Sequence, residues 1–279
     1  MVSKKFSAIE LSGNDISKYH TLTIRISNRI VEYSIFDSAK KMFVALESWD
    51  IDVNDDPGML TDVLEKIKND SPLLNNEFER VIIIPDTSIY TIIPEKLFVE
   101  KDARKYLEFN YIIHSNEKVC IDNIDKIKVK NVYGFSYEVE NAAEKLFLNH
   151  QFMHTSTILI NTILSLNTHD VVFANINYNR IDILVKRSDA LKFCNSFFFT
   201  SPEDVIYYLM NVYQQLSLDA ASFPLILAGE IEQGSDMFNL VYRYIKKVSF
   251  KNRPEEFMYC KGIQKLPGQK YFCLYQCLL

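Results

Sequence analysis

Two widely separated stretches of this chain carry one pattern. The first is Leu22-Thr-Ile-Arg-Ile-Ser-Asn-Arg-Ile-Val-Glu-Tyr-Ser-Ile-Phe36, and the second is Phe173-Ala-Asn-Ile-Asn-Tyr-Asn-Arg-Ile-Asp-Ile-Leu-Val-Lys186. Each reads as an alternating strand, an Asn-Arg turn (Asn28-Arg29, Asn179-Arg180) and a second alternating strand. A third strand follows in each, Met42 to Leu46 and Phe193 to Phe199. A repeat this widely spaced predicts two similar domains facing a cleft.

The rest of the chain fits a doubled plan. Asp56-Pro57 reads as a helix N-cap with proline at the first helical position, and Leu60, Val63, Leu64 and Ile67 supply the apolar face. Val81 to Ile84 is a short apolar run of the buried-strand kind, followed by a strand over Ser88 to Ile93. Helices are expected from Asp102 to Ile113, around Val139 to Phe147, and from Ser156 to Leu166, with a strand over Val129 to Tyr137 and another near Phe152. Ser201-Pro202-Glu203-Asp204 is a helix start with a serine cap, proline at N1 and an acid at N3. Leu225 to Leu227 is a strand ending at Gly229, and Met237 to Ile245 a helix. Residues 1–20 read as a loose lead-in, and the tail as two late strands, Phe257 to Ile263 and Lys270 to Cys277. The order in each half is meander, helix, strand, helix, which places the domains at 1–168 and 169–279.

Composition narrows the function classes. The net charge is −5 with no long basic run, which disfavours nucleic acid as a partner. Apolar content of 48% with no apolar stretch of about 18 residues predicts no spanning helix, and Met1 to Leu11 lacks the apolar core of a signal peptide. Five cysteines without a CxxC suggest reduced thiols and a cytoplasmic setting. There are only 7 glycines, about 2.5% against a usual 7%. Phosphate-cradling loops use glycine so that backbone N–H groups can approach the ligand, so this chain has few places to build one.

The repeated order resembles the actin-like ATPase superfamily: actin, sugar kinases, heat-shock chaperones, the division protein FtsA and the pilus-assembly protein PilM. It also resembles a bacterial family of unknown function assigned to that fold. The resemblance spans nearly the whole chain. It implies an α/β protein of two ribonuclease-H-like domains facing a cleft, each a mixed sheet with helices. Three motifs carry that superfamily's chemistry, and this chain departs from all three. Where the first hairpin has Asp-x-Gly, this sequence reads Arg25-Ile26-Ser27. Where the second hairpin has another, it reads Asn175-Ile176-Asn177. The paired glycines of the nucleotide loop become Gly229-Glu230. Two metal-organising carboxylates are lost, three glycine positions gain side chains, and Glu230 adds negative charge beside a polyanion.

The expected function is therefore a non-catalytic binding or scaffold protein with an unidentified protein partner, no nucleic acid and no membrane. Arg25, Ser27, Asn175, Asn177, Gly229 and Glu230 are the vestigial nucleotide-cleft residues. No catalytic residue, metal or cofactor is expected. The competing class is an ATPase or small-molecule kinase with a rearranged phosphate site, in which Arg25 contacts phosphate and ATP with Mg²⁺ binds. A third is a structural homo-oligomer.

Other patterns are weaker. Asp50, Asp52, Asn54, Asp55 and Asp56 resemble a calcium loop, but Asp55 and Thr61 occupy the positions that require Gly and Glu. His150 and His154 have helical metal-pair spacing without a zincin's glutamate. Gly229 to Gly234 has P-loop spacing, but Ser235-Asp236 follows in place of Lys-Ser/Thr. Cys273 and Cys277 lie in an apolar tail, where thiols usually behave as small hydrophobes.

Overall fold

The computed structural model describes residues 2–11, 19–52 and 59–279 and divides them into two compact units. The first comprises Met1–Thr157, Pro254–Lys265 and Cys277–Leu279; the second, Ile158–Arg253 and Leu266–Gln276.

In the first unit the chain runs β1 (Val2–Ile9), β2 (His20–Ile26), β3 (Ile30–Asp37), β4 (Met42–Ile51), α1 (Met59–Asp70), β5 (Arg80–Pro85), β6 (Tyr90–Pro94), α2 (Ala103–Glu108), β7 (Glu117–Ile124), β8 (Val129–Ser136), α3 (Tyr137–Leu146) and β9 (His150–Phe152). Helix α4 (Thr155–Ser165) then leads into the second unit: β10 (Val171–Asn177), β11 (Arg180–Arg187), β12 (Ala190–Phe198), α5 (Pro202–Gln215), β13 (Leu225–Gly229), α6 (Asp236–Tyr244) and β14 (Val248–Phe250). The tail adds β15 (Met258–Tyr259), α7 (Lys261–Gln264) and α8 (Phe272–Gln276).

Each unit is built on the same five-strand path. The first has the order β4-β3-β2-β5-β9, extended by β1 and β15 beside β4; the second has β12-β11-β10-β13-β14. In both, an antiparallel meander meets two parallel strands. The meanders also share a defect: a β-bulge falls between Ile35 and Phe36 in one and between Val185 and Lys186 in the other. Between β5 and α3 the first unit carries an insertion with its own sheet, β6-β8-β7, covered by α2.

The apolar faces that the sequence predicts form the cores. Leu22, Ile24, Tyr33 and Ile35 pack with Leu60, Val63, Leu64 and Ile67 of α1 and with Ala142 and Ala143 of α3. Val172, Ala174, Ile181 and Ile183 pack with Val205, Leu209 and Val212 of α5. The cap of α5 is as expected: Asp204 N–H donates to Ser201 Oγ at 3.3 Å, and the Asp204 carboxylate accepts from Ser201 N–H at 3.1 Å. Asp56-Pro57, the expected start of α1, lies outside the described residues.

Three expectations fail for physical reasons. The lead-in is partly a strand: β1 pairs with β4, and its Lys4 and Ser7 both donate to Glu47 at 2.7 Å. A lysine-rich edge strand hides its β character, because charge on an edge blocks pairing with other chains. The late strands are mostly helix, with only Met258–Tyr259 extended, because Phe272 to Gln276 bury every residue in α8. The helix expected to Ile113 ends at Glu108, and Arg104 donates to the carbonyls of Ile113 and His114, both at 2.8 Å. Strands β2 and β3 are buried at every position.

Candidate functional site

The six residues singled out by the resemblance fall into two groups, one in each unit. The hairpin register defines their equivalence. Ile26 pairs with Val31, and Ser27 N–H donates to Ile30 O, so the first turn is Asn28-Arg29. Asn177 pairs with Arg180, so the second turn is Tyr178-Asn179. The two Asn-Arg dipeptides are therefore one residue out of step. The strand positions match instead: Arg25 with Asn175, and Ser27 with Asn177. The same register makes Glu32, opposite Arg25, the counterpart of Asp182, opposite Asn175. Asp86 and Glu230 correspond too, since each backbone N–H donates to the hairpin, to Ile26 O at 2.8 Å and Ile176 O at 2.7 Å.

In the first unit Arg25 is 5% exposed and tied down. Its Nη1 donates to Glu32 Oε2 at 3.1 Å and its Nη2 to Asp86 Oδ2 at 2.7 Å. Both carboxylates are buried, so the guanidinium sits between two charges that need it. Ser27 Oγ accepts the N–H groups of Arg29 at 3.2 Å and Ile30 at 3.0 Å, which closes the turn with a side chain.

In the second unit Asp182 collects three donors: Asn175 Nδ2 at 3.0 Å, Arg180 Nε at 3.0 Å and Ser196 Oγ at 2.7 Å. Asn177 is buried, and its Nδ2 has no hydrogen-bond partner among the described residues. Gly229 has φ +86°, and a Cβ there would lie 2.1 Å from Ile176 O and 3.0 Å from Asn175 Oδ1. Its glycine is demanded by the approach of two strands. Gln269 then covers the loop, accepting from Gly229 N–H at 3.0 Å and donating from Nε2 to Ile231 O at 2.8 Å. Lys270 Nζ lies 3.6 Å from Glu230 and 3.1 Å from Glu232.

Glu32, Asp86 and Asp182 carry no motif that singles them out in the sequence, and Arg180 reads there only as a turn residue. The signal for two of them was present. A two-residue turn places positions seven apart opposite each other near its base, which pairs 25 with 32 and 175 with 182.

Among the described residues no three His, Cys, Asp or Glu side chains cluster for a metal; Asn54, Asp55 and Asp56 lie outside them. His150 is in β9 and His154 follows it, so they do not share a helix face. The His154 ring is engaged within the insertion's base: Nδ1 accepts from Ser156 N–H at 3.1 Å, and Nε2 lies 3.1 Å from Thr87 O, which can only accept. Its Nδ1 also lies 2.7 Å from Ser156 Oγ, so both ring nitrogens are engaged. The Gly229–Gly234 loop ends in an ordinary cap, with Ser235 Oγ accepting from Phe238 N–H at 3.2 Å. No cysteine is in a disulfide; Cys273 and Cys277 are buried, and burial pushes the Cys277 thiol up to about 11.

Two units built on one five-strand path, each with its hairpin and following parallel strand, define an actin-like ATPase fold. The chain belongs to the family described as "Protein of unknown function (DUF3822)", which matches residues 12–248. It is similar to a Bacteroides thetaiotaomicron VPI-5482 protein with an actin-like ATPase fold and unknown function, at 25% identity and a TM-score of 0.74, covering 84% of this chain and 91% of that one. A PilM–PilN type IV pilus biogenesis complex is also similar in fold, at 10% identity and a TM-score of 0.59, covering 93% of this chain and 98% of that one. No curated protein matches the chain. Among the described residues no helix is long and apolar enough to cross a membrane.

Proposed function

We propose that this chain is a non-catalytic binding or scaffold protein, one that keeps the actin-like fold and spends its hairpin-end charges on internal pairs. The observation that carries the reading is Arg25, buried and bonded to Glu32 and Asp86 at 3.1 and 2.7 Å. A guanidinium occupies the position where the superfamily resemblance puts a metal-organising carboxylate, and its charge is already matched. Against Mg²⁺ with a nucleotide the donor set fits poorly. Mg²⁺ takes one or two carboxylates plus phosphate oxygens, yet Asp182 already accepts from Arg180, Asn175 and Ser196. Glu230 follows Gly229 with a negative charge, and Gln269 accepts the Gly229 N–H that a phosphate would need.

A protein is the proposed ligand. The PilM of the comparison is in a complex with PilN, which illustrates a body of this fold holding a protein partner. Five free thiols go with the reducing cytoplasm as its proposed setting.

A thermal-shift titration with ATP and ADP, with and without Mg²⁺, tests the reading. No saturable stabilisation is expected. A one-site binder at 100 times Kd would gain about 2.7 kcal/mol, and a Mg²⁺-dependent gain of that size would replace the scaffold with an enzyme of rearranged phosphate chemistry.

A further inference from the structure

The two meanders end differently. Their shared bulge aligns Ile35 and Phe36 with Val185 and Lys186, and so aligns the partners Ala45 and Phe43 with Phe193 and Leu191. Counted on from the bulge, Ala45–Ile51 of β4 corresponds to Phe193–Phe199. Strand β1 pairs antiparallel with β4 over Ala45–Ile51. In the second unit β12 ends the sheet, and among the described residues no strand lies on its outer side. The side chains record the difference. Glu47 is fully buried and bonded to Lys4 and Ser7 of β1, whereas its counterpart Asn195 is exposed. Asp50 corresponds to Phe198, a large apolar side chain left 60% exposed.

We propose that two copies of this chain pair through β12, antiparallel about a two-fold axis, so that each supplies the strand the other lacks. The backbone sets the mode. Phe199 N–H donates to Asn179 O at 2.8 Å, and by the alternation of an antiparallel ladder Phe193, Asn195 and Phe197 also face β11. Residues 194, 196 and 198 therefore turn their backbone groups to the outer side. Ser196 N–H closes locally on Asn195 Oδ1 at 2.9 Å, a bond that an added strand replaces. Two strands related by a two-fold axis run antiparallel, as β1 does on the matching edge of the first unit. Charge selects the second copy over a foreign strand. Strand β1 is held by Lys4 on Glu47, but β12 offers Asn195 at that place and Lys192 as its single charge, so a charged strand gains nothing there. Exposed sheet edges are usually short or charged. The opposite edge, β14, has 3 residues, whereas β12 has 9, and Lys192 sits in the bulge, leaving Phe193 to Phe198 in unbroken register with β11. The pairing goes beyond the binding reading and stands whether or not the hairpin ends hold a ligand.

Sedimentation of the full chain over a concentration series tests the pairing. One strand ladder is a small interface, so a weak dimer is expected, with Kd in the micromolar to millimolar range. Phe198→Glu and Asn195→Lys each bring like charges together across the two-fold axis, and each should weaken the dimer about fivefold or more. Both positions are exposed, and circular dichroism checks that each variant keeps its fold. Amide exchange followed by NMR gives the second readout: between residues 194 and 198 it should slow as the protein concentration rises, and along β14 it should not. A monomer up to about 1 mM overturns the proposal. So does a dimer that either variant leaves intact, or one whose formation leaves exchange along β12 unchanged. Nucleotide titration reads a different event, so failure of the pairing leaves the binding-protein reading intact, and a nucleotide response leaves the sedimentation result interpretable.

Discussion

The hairpin of the first unit and the hairpin of the second share a register and a bulge, yet neutralise their buried carboxylate differently. In the first, the cation stands on the leading strand: Arg25 faces Glu32 and also reaches Asp86. In the second, the leading strand offers only the amide of Asn175, and the cation comes from Arg180, two residues before Asp182 on its own strand. The residue after the parallel strand differs as well, since Asp86 joins the first cluster whereas Glu230 pairs outward with Lys270. The backbone decides where a charge will be buried, and the side chains decide what balances it. A shared fold therefore does not imply a shared site chemistry.

The largest expected effect is at Arg25. Arg25→Met leaves Glu32 and Asp86 buried without their cation, and should destabilise the first unit by about 3–5 kcal/mol. Trp49, the only tryptophan, lies in that unit, so its fluorescence in urea reports the loss directly. A cost below about 1 kcal/mol would mean that the pair is solvated and contributes little.

Gly229→Ala comes next, at about 2 kcal/mol or more, because a Cβ would meet the Ile176 carbonyl at a positive φ. Gly234 also has a positive φ (+84°) but nothing within 4 Å, so Gly234→Ala should cost only about 1 kcal/mol of left-handed strain. Far-UV circular dichroism in urea compares them, and equal losses would remove the close strand approach as the reason for Gly229.

Asn175→Ala changes the position equivalent to Arg25 and should cost only about 1 kcal/mol, since Asp182 keeps Arg180 and Ser196. A loss as large as that of Arg25→Met would break the contrast between the hairpins.

The smallest effect is a slope. Burial pushes the Glu47 carboxyl up, but hydrogen bonds from Lys4, Ser7, Ser71 and Tyr33 outweigh it and hold it below the ordinary carboxylate value. A depressed carboxylate contributes stability above its unfolded pKa, near 4.3, and loses it as pH falls through the folded value. Lys4→Met removes one of those donors, and Lys4 is about a third exposed. The variant should be less stable by about 1 kcal/mol at pH 7, with the gap closing as pH falls below about 4. A gap independent of pH would assign the effect to the packing of Lys4 on Trp49, 4.6 Å away, instead.

Both meanders were legible because alternation and a short turn are local signals, and the α5 cap was legible because it is complete within four residues. Matching by residue identity misplaced the repeat by one position, since Asn28-Arg29 is a turn whereas Arg180 already belongs to a strand. In the tail, Tyr271-Phe-Cys-Leu-Tyr275 has the composition of a strand. Burial in the second unit, with Phe272 against Phe173 at 5.6 Å and Gln276 Oε1 accepting from Thr162 Oγ1 at 3.3 Å, makes Phe272 to Gln276 a helix.

By itself the sequence determined the doubled meander, the helix that follows each one, the scarcity of glycine and the residues at the two hairpin ends, Arg25-Ile26-Ser27 and Asn175-Ile176-Asn177. These depend on residues within a few positions of each other, where sterics and turn chemistry act directly. Only the tertiary structure decided that Arg25 would meet Asp86, 61 residues away, and that Gln269 would cover Gly229. A charge pair across that distance exists only where two strands come to lie side by side, and their placement follows from the burial of whole faces, to which no short stretch of sequence is sensitive.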